Sequence, residues 1–221
     1  SKFSLTAYHE MLKDGSLLNG LWVTVRLTVI GTICNLFFTL LMAYPLSRHG
    51  MPGNKLIMKG IVFTMIFSAG TVPTYLIVKA TGLLNTMFAM FVPGMISVYN
   101  LIITKAFFEG LPEELFESAR LDGAREFRIF WTIAMPMVKP AWLTLIIYSF
   151  QGLWNAGASM YIYSEQYKSF NYAIGQITAG GIKRAGASAA SQVIMMLVPI
   201  TVFVISQSNI IETMGSSGMK D

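Results

Sequence analysis

The chain alternates between long apolar stretches and shorter segments that hold its charged residues. Asp, Glu, Lys and Arg are absent from five stretches, at residues 27–47, 60–78, 80–104, 140–164 and 185–211. A helix needs roughly 20 apolar residues to cross a bilayer. We therefore predict five membrane spans, in an all-α, multi-pass transmembrane helical bundle that forms a single domain over residues 1–221, at about residues 27–47, 60–78, 85–104, 140–160 and 190–211.

Helix-weakening residues lie inside several of these spans. They are Pro45, Gly70 with Pro73, Pro93 with Gly94, and Pro199. Within a membrane such breaks persist only where neighbouring helices or a water-filled cavity satisfy the freed backbone groups. We expect kinked helices, which suit a protein that changes conformation but are equally compatible with static kinks fixed by packing.

Composition supports a membrane protein over a soluble helical one. Hydrophobic residues make up 54% of the chain and charged residues 12%, whereas soluble domains carry about 25% charged residues. The helices of soluble domains are also amphipathic and average about 11 to 12 residues. The apolar stretches are too long and too uniform for that class.

The distribution of basic residues predicts the orientation, because Lys and Arg near span ends favour the cytoplasm. The loops after the first and third predicted spans hold more of them than the opposite side, Arg48 and Arg120 among them. The loop after the third span is therefore predicted to be cytoplasmic. The chain begins with Ser1 rather than Met, so we expect an N-terminal piece to precede it.

The third loop is the longest charged segment, and it should contain two helices. Pro112 suits the first turn of a helix, followed by Glu113 and Glu114 near the positive end of the helix dipole. Asp122 and Gly123 permit a sharp reversal. Leu115, Phe116 and Ala119 predict an apolar face on the first helix, and Ala124, Phe127, Phe130 and Trp131 predict one on the second.

From these residues alone, two interpretations of the loop stay open. It is either a helix-turn-helix that projects from the bilayer into a partner protein, or an amphipathic element that anchors the loop at the membrane surface. A nucleic-acid-binding helix-turn-helix is disfavoured, because the charge of the loop is nearly balanced and both of its ends join membrane spans.

The spacing of one segment resembles a known family. Glu117-Ser118-Ala119, three residues, Gly123, nine residues and Ile133-Ala134-Met135-Pro136 resemble the coupling motif of binding-protein-dependent ABC importer permeases, written EAA, three, G, nine, I-x-L-P. The segment departs from this motif at two positions, where Ser118 replaces the second residue, Ala, and Met135 replaces Leu. The resemblance implies a type I ABC importer permease with a cytoplasmic coupling helix-turn-helix at residues 109–136.

Further segments resemble the carbohydrate branch of that family, above all the smaller permease of maltose-type importers. They are Met51-Pro52-Gly53, Trp154-Asn155 and the tail from Gly215 to Lys220. The resemblance implies a multi-pass protein of the bacterial inner membrane that passes an oligosaccharide from a solute-binding protein into the cytoplasm, with an acidic one such as a uronate polymer favoured. Such permeases usually have six spans, so the resemblance implies one further N-terminal span before Ser1.

The resemblance also implies partners and site residues. The implied partners are a second homologous permease, an ATPase dimer, a solute-binding protein and membrane lipid, with no nucleic acid. The chain lacks a Gly-x-x-x-x-Gly-Lys-Ser/Thr phosphate loop, so we expect no enzyme activity or cofactor of its own, with ATP and Mg bound by the partner. The implied ATPase-coupling residues are Glu117, Ser118, Ala119, Asp122, Gly123, Ile133 and Pro136.

Polar and aromatic residues within the spans are candidates for the substrate pathway. They are Tyr99, Asn100, Gln151, Trp154 and Asn155, since sugars bind aromatic faces together with amide and hydroxyl groups. Each could instead make a hydrogen bond between helices. No metal site is predicted, because the lone Cys34 and the two distant histidines offer no ligand cluster.

Three other functions compete with the importer interpretation. A membrane enzyme would need a constellation of His, Asp or Cys residues within the membrane, and the five stretches offer none. A secondary transporter would need acidic residues within the membrane for ion coupling, and the five stretches contain none. A channel subunit would leave the charged helix-turn-helix unexplained.

Overall fold

The computed structural model describes residues 15–48, 50–157, 159–179 and 185–217, and it describes the side chains of all of these except 185 and 206–217. Within these ranges the chain is helical and contains no strand, so the all-α prediction is confirmed. The α-helices of this part are α1 Gly15–Ser47, α2 Asn54–Ile66, α3 Thr71–Ala80, α4 Val98–Glu109, α5 Glu113–Leu121, α6 Glu126–Ile129, α7 Met135–Met137, α8 Lys139–Trp154, α9 Phe170–Ala179 and α10 Ala185–Ser217. Shorter 3-10 segments lie at Met87–Met90, Val92–Gly94 and Glu165–Tyr167, and Phe130–Ala134 is a π-helical turn.

Two of the described helices are long and apolar enough to cross a membrane unbroken. They are α1, of 33 residues, and the part of α10 from Gly186 to Ile205. Three further candidates are pairs of helices that bend sharply at a short break. Counting each bent pair as one span gives up to five in the described part of the chain.

The second predicted span, at residues 60–78, is not a continuous helix. Helix α2 ends at Ile66, and α3 starts at Thr71 after a break of four residues. Gly70 has a φ of +84°, which L-residues with a side chain rarely adopt. Pro73 has no N–H to donate, and its ring clashes with a helical carbonyl four residues earlier. The glycine and the proline together explain the break.

Prolines also account for the break in the third predicted span and for the bend directly before the fourth. The 3-10 segment that contains Pro93 ends at Gly94, and the regular helix α4 begins only at Val98. Helix α8 follows the preceding helix at 81°, and Pro140 in its first turn cannot continue a helix from residue 136. Helix α8 ends at Trp154, short of the predicted boundary at residue 160.

The described residues form two compact units. The first unit lies within residues 1–32, 69–94 and 148–207, and the second within 33–68, 95–147 and 208–221. The core of the first unit consists of Leu17, Phe170, Ala173, Ile174, Ile177 and Ala190, with a smaller cluster of Val78, Ala89 and Ile162. The core of the second unit consists of Leu40, Ala43, Tyr44, Leu46, Leu101, Phe108, Phe116, Ala119, Ile129, Phe130, Ala134, Val138, Ala141 and Leu145.

In the first unit, Asn85 fixes the segment that precedes α9. Its backbone has a φ of +57°, a conformation that asparagine tolerates better than most residues. The side-chain oxygen of Asn85 accepts hydrogen bonds from the N–H groups of Tyr163 and Ser164, at 3.1 and 2.8 Å. Its amide donates to the Ser164 hydroxyl at 2.6 Å. One side chain thus satisfies three polar groups of an irregular segment.

Candidate coupling site

The segment with the coupling-motif spacing folds as a helical hairpin in the second unit. We call α5, the turn after it and α6 the hairpin, residues 113–129. Glu113 and Glu114 lie in the first turn of α5 and Arg120 in its last turn. Acidic residues at the N-terminus and a basic residue at the C-terminus both complement the helix dipole. The two predicted helices are therefore present.

The turn of the hairpin is a Schellman motif centred on Gly123. The N–H of Ala124 donates to the carbonyl of Ala119, and the N–H of Gly123 donates to that of Arg120, both at 3.0 Å. Gly123 has a φ of +77°, the left-handed conformation that this motif requires at its central position. A Cβ atom at Gly123 would meet no atom within 4 Å. The backbone conformation, rather than lack of space within this chain, explains the glycine here.

Aromatic side chains fasten the hairpin to the rest of the second unit. The Phe116 side chain is completely buried. The ring of Tyr44 lies 6.4 Å from the ring of Phe116, 5.5 Å from that of Phe108 and 5.1 Å from that of Phe130, between centroids. Ring pairs at these separations attract each other beyond simple burial. The hairpin therefore packs against the end of α1 in a defined position.

The predicted apolar faces are only partly correct. Phe116 and Ala119 are buried as expected, but Leu115 is exposed. On the second helix the buried residues are Ile129, Phe130 and Ala134, whereas Phe127 and Trp131 are exposed. The π-helical turn explains part of the difference, because its i→i+5 hydrogen bonds change the spacing of residues that share a face.

Charged side chains connect α1, α5 and α6 in a continuous network. Arg48 donates to Glu113 at 3.2 Å, and Arg120 donates to the second oxygen of the same carboxylate at 3.3 Å. Arg120 also donates to Glu126 at 2.7 Å, and Glu126 accepts from the Tyr44 hydroxyl at 3.1 Å. Each carboxylate thus accepts hydrogen bonds from two side chains. The network begins at Arg48, directly after α1, and ends at Tyr44 within α1.

The network changes the protonation equilibria of its exposed members. The hydrogen bond from Arg120 has the largest effect on the pKa of Glu126 and lowers it. The hydrogen bond from the Tyr44 hydroxyl lowers it further, whereas partial burial raises it. The same contact with Glu126 raises the pKa of the Arg120 guanidinium. Both groups therefore stay charged over the physiological pH range, which maintains their ion pair.

We call the part of the hairpin that contacts Tyr44 and Arg48 its base, and the exposed residues 117, 118 and 121–123 its tip. Glu117, Ser118, Asp122 and Gly123 are exposed, and Leu121 has 89% of its surface accessible. A hollow of about 430 Å³ lies beside the base, between the end of α1 and the exposed Phe127 of α6. An exposed apolar side chain among carboxylates on a fixed support is a surface that a second protein can bind.

The remaining residues of the predicted coupling motif lie in or near the base. Ala119 is buried in the core of the second unit, and Ile133 packs against that core from a half-buried position. Pro136 is exposed and lies in the first turn of α7, where a proline fits without loss of a helical hydrogen bond. The motif therefore combines tip residues with residues that hold the tip in place.

The five candidate pathway residues are divided between the two units. Tyr99 and Asn100 belong to the second unit, and Gln151, Trp154 and Asn155 to the first. Trp154 is only 2% exposed, and its indole N–H donates to the Met195 carbonyl at 3.0 Å. This geometry is that of an interhelical hydrogen bond. Tyr99, Gln151 and Asn155 are exposed, with the Asn155 amide donating to the Gln151 carbonyl at 2.8 Å.

No group of three or more His, Cys, Asp or Glu side chains among the described residues could hold a metal ion. Two of the residues considered as ligands, His9 and His49, lie outside the described ranges.

The sequence interpretation did not identify Tyr44, Arg48 and Glu126 as parts of the site. A local signal existed for Glu113 and Arg120, because residues seven apart lie on one face of a helix. No comparable signal joins Arg48 to Glu113, which follows 65 positions later. That contact depends on how α1 packs against α5.

Apolar helices broken at glycines and prolines, together with a helical hairpin that carries this motif spacing, are typical of a membrane permease. The chain belongs to the family of binding-protein-dependent transport system inner membrane components, whose sequence profile matches residues 16–214. The resemblance to ABC importer permeases is thereby confirmed, as is the inner-membrane location. The roles assigned to individual residues stay predictions.

Two curated relatives come from Bacillus subtilis (strain 168). The chain is 44% identical to protein LplC over 153 residues, which are 69% of this chain and 52% of LplC. It is 40% identical over 161 residues to the polygalacturonan/rhamnogalacturonan transport system permease protein YtcP, covering 73% of this chain and 56% of YtcP. The chain thus spans about half the length of these relatives.

A solved structure has the same fold over nearly the whole chain. It is a bacterial ABC transporter involved in the import of the acidic polysaccharide alginate. The match covers 94% of this chain and 80% of the other, with a TM-score of 0.87 and 25% sequence identity.

Proposed function

We propose that this chain is the transmembrane permease subunit of an ABC importer that passes an oligosaccharide from a solute-binding protein into the cytoplasm. The observation that carries this proposal is the hairpin, whose base is fastened to α1 by aromatic packing and ion pairs while its tip is exposed. In this proposal the tip docks onto a separate ATPase, which binds ATP and Mg, and a second homologous permease completes the pathway.

The geometry of the hairpin supports a coupling role over simple membrane anchoring. An amphipathic anchor would direct its apolar side chains towards lipid along one face. Here Phe116 and Ala119 of α5 are buried within the protein itself, and the exposed tip combines Leu121 with Glu117 and Asp122. A fixed support with a mixed polar and apolar tip suits a protein partner better than a bilayer.

The relatives support an acidic oligosaccharide as the substrate. Polygalacturonan and alginate, which appear in the descriptions of YtcP and of the solved importer, are both polymers of uronic acids. Each sugar unit of such a polymer carries a carboxylate at neutral pH. We therefore propose that the importer takes up short uronate oligomers.

Reconstitution of the importer tests the substrate class. The chain would be assembled with its partner subunits in liposomes, and uptake of a galacturonate trimer would be compared with that of its fully methyl-esterified form. The ester has the same length and sugar ring but no charge, so we expect ATP-dependent uptake of the acid alone. Preference for the ester would refute an acidic substrate, and uptake without ATP hydrolysis would favour a secondary transporter.

Glu117 provides a separate test of docking through the hairpin. We expect Glu117→Gln to lower ATP hydrolysis stimulated by the binding protein by about ten-fold, which corresponds to the loss of one charge-assisted hydrogen bond. Glu114→Gln is the matched control, because Glu114 is also an exposed carboxylate of α5. Equal activity of the two variants would contradict a specific contact at Glu117.

A further inference from the structure

We propose that Arg48 is a positioning residue that fastens the hairpin to the cytoplasmic end of α1, so that the hairpin and this helix end move together. The attachment itself is a property of this chain. Its consequence for transport rests on the proposed function.

Arg48 directly follows the last residue of α1 and contacts two other helices through separate nitrogens. One terminal nitrogen donates to the carbonyl of Phe108, near the end of α4, at 2.6 Å. The other donates to the carboxylate of Glu113, in the first turn of α5, at 3.2 Å. The guanidinium therefore joins the ends of three helices, and its positive charge is favourable beside the C-terminal carbonyls of α4.

The guanidinium is also held by packing. Its central carbon lies 4.0 Å from the centroid of the buried Phe116 ring, which permits a cation–π contact. Only 9% of the residue is exposed. A lysine could not reproduce this arrangement. Its single nitrogen cannot bond both acceptors as two guanidinium nitrogens do, and it has no planar group to lie on the Phe116 ring.

Tyr44 provides the second attachment, one helical turn before Arg48. Its hydroxyl donates to Glu126 of α6, whereas Arg48 donates to Glu113 of α5. Each helix of the hairpin is thus bonded to the same end of α1. A displacement applied at the tip would be transmitted to α1 through both contacts, because a packed unit of this kind moves as a body.

The attachment can be tested on the chain alone in lipid nanodiscs. Spin labels at Leu121, on the tip, and at the half-exposed Phe38 of α1 would be introduced after Cys34→Ser removes the single native cysteine. We expect a narrow distribution of label distances that Arg48→Gln broadens. Lys55→Gln, which removes an exposed cation of α2, is the control and should leave it narrow. An unchanged distribution in Arg48→Gln would overturn the attachment.

The transmission is tested in the assembled importer by the ATP hydrolysed per oligosaccharide imported. We expect Arg48→Gln to raise this ratio about five-fold, the change that loss of one net hydrogen bond produces in an equilibrium. Arg48→Lys should give an intermediate ratio and Lys55→Gln the native one. If ATP hydrolysis and import fall in proportion in Arg48→Gln, as a purely structural defect would cause, the proposal that Arg48 transmits the motion is refuted. Failure of the native importer to take up any oligosaccharide would instead contradict the proposed function, and the nanodisc measurement would still decide the attachment.

Discussion

Substitutions at Gly123 separate two reasons for a glycine at the hairpin turn. The left-handed conformation at a φ of +77° costs an ordinary L-residue about 1–2 kcal/mol. A Cβ atom would meet no atom of this chain within 4 Å, so no steric term is added. We therefore expect Gly123→Ala to weaken the turn by about 1 kcal/mol, which raises local opening about five-fold. Gly123→Asn should cost less, because asparagine tolerates this conformation.

Amide hydrogen exchange of the hairpin measures this difference directly, because local opening controls exchange. Protection of the amides of α5 and the turn should fall in Gly123→Ala and stay near the native level in Gly123→Asn. Equal protection in the Ala variant and the native chain would refute the strain argument.

The same position tests contact with the ATPase. Aspartate also tolerates the left-handed conformation, so Gly123→Asp should preserve the turn while it places a charged side chain at the tip. We expect this variant to abolish substrate-stimulated ATP hydrolysis in the assembled importer with hairpin protection retained. Native transport by Gly123→Asp would count against docking at the tip.

Two further predictions concern packing and pH. Because the pKa of Glu126 is lowered in the folded chain, its ion pair with Arg120 stabilises the hairpin above the ordinary value of 4.5, and this contribution disappears as the pH falls through the lowered pKa. Near neutral pH we expect Glu126→Gln to lower the free energy of unfolding by about 0.5 kcal/mol, the contribution of so exposed an ion pair, and to lower the unfolding temperature accordingly. Both differences should vanish in acid. A difference that does not depend on pH would contradict the ion pair. Trp154→Phe removes the hydrogen bond to Met195 and should lower the free energy of unfolding by about 1–3 kcal/mol without changing the KM for the oligosaccharide, whereas a changed KM would favour a substrate contact.

Local features of the fold could be predicted because they depend on neighbouring residues. The turn at Gly123 follows from its short-range hydrogen bonds, and the break at Gly70 and Pro73 from backbone sterics. The exposed Phe127 was wrongly assigned to the buried face, because Ile129 and Phe130 are the residues of this segment that pack into the core, and that choice depends on contacts with distant helices. The contact between Arg48 and Glu113 requires the packing of distant helices, which no periodicity in the sequence encodes.

The network at the base of the hairpin has a consequence for energetics in a polarised membrane. Its ionised members are two arginines, Arg48 and Arg120, and two carboxylates, Glu113 and Glu126, so their charges cancel. Moving one elementary charge through a potential of 100 mV changes the free energy by about 2.3 kcal/mol. Displacement of this neutral group as one body performs no net electrical work, so the membrane potential neither drives nor opposes that part of the motion.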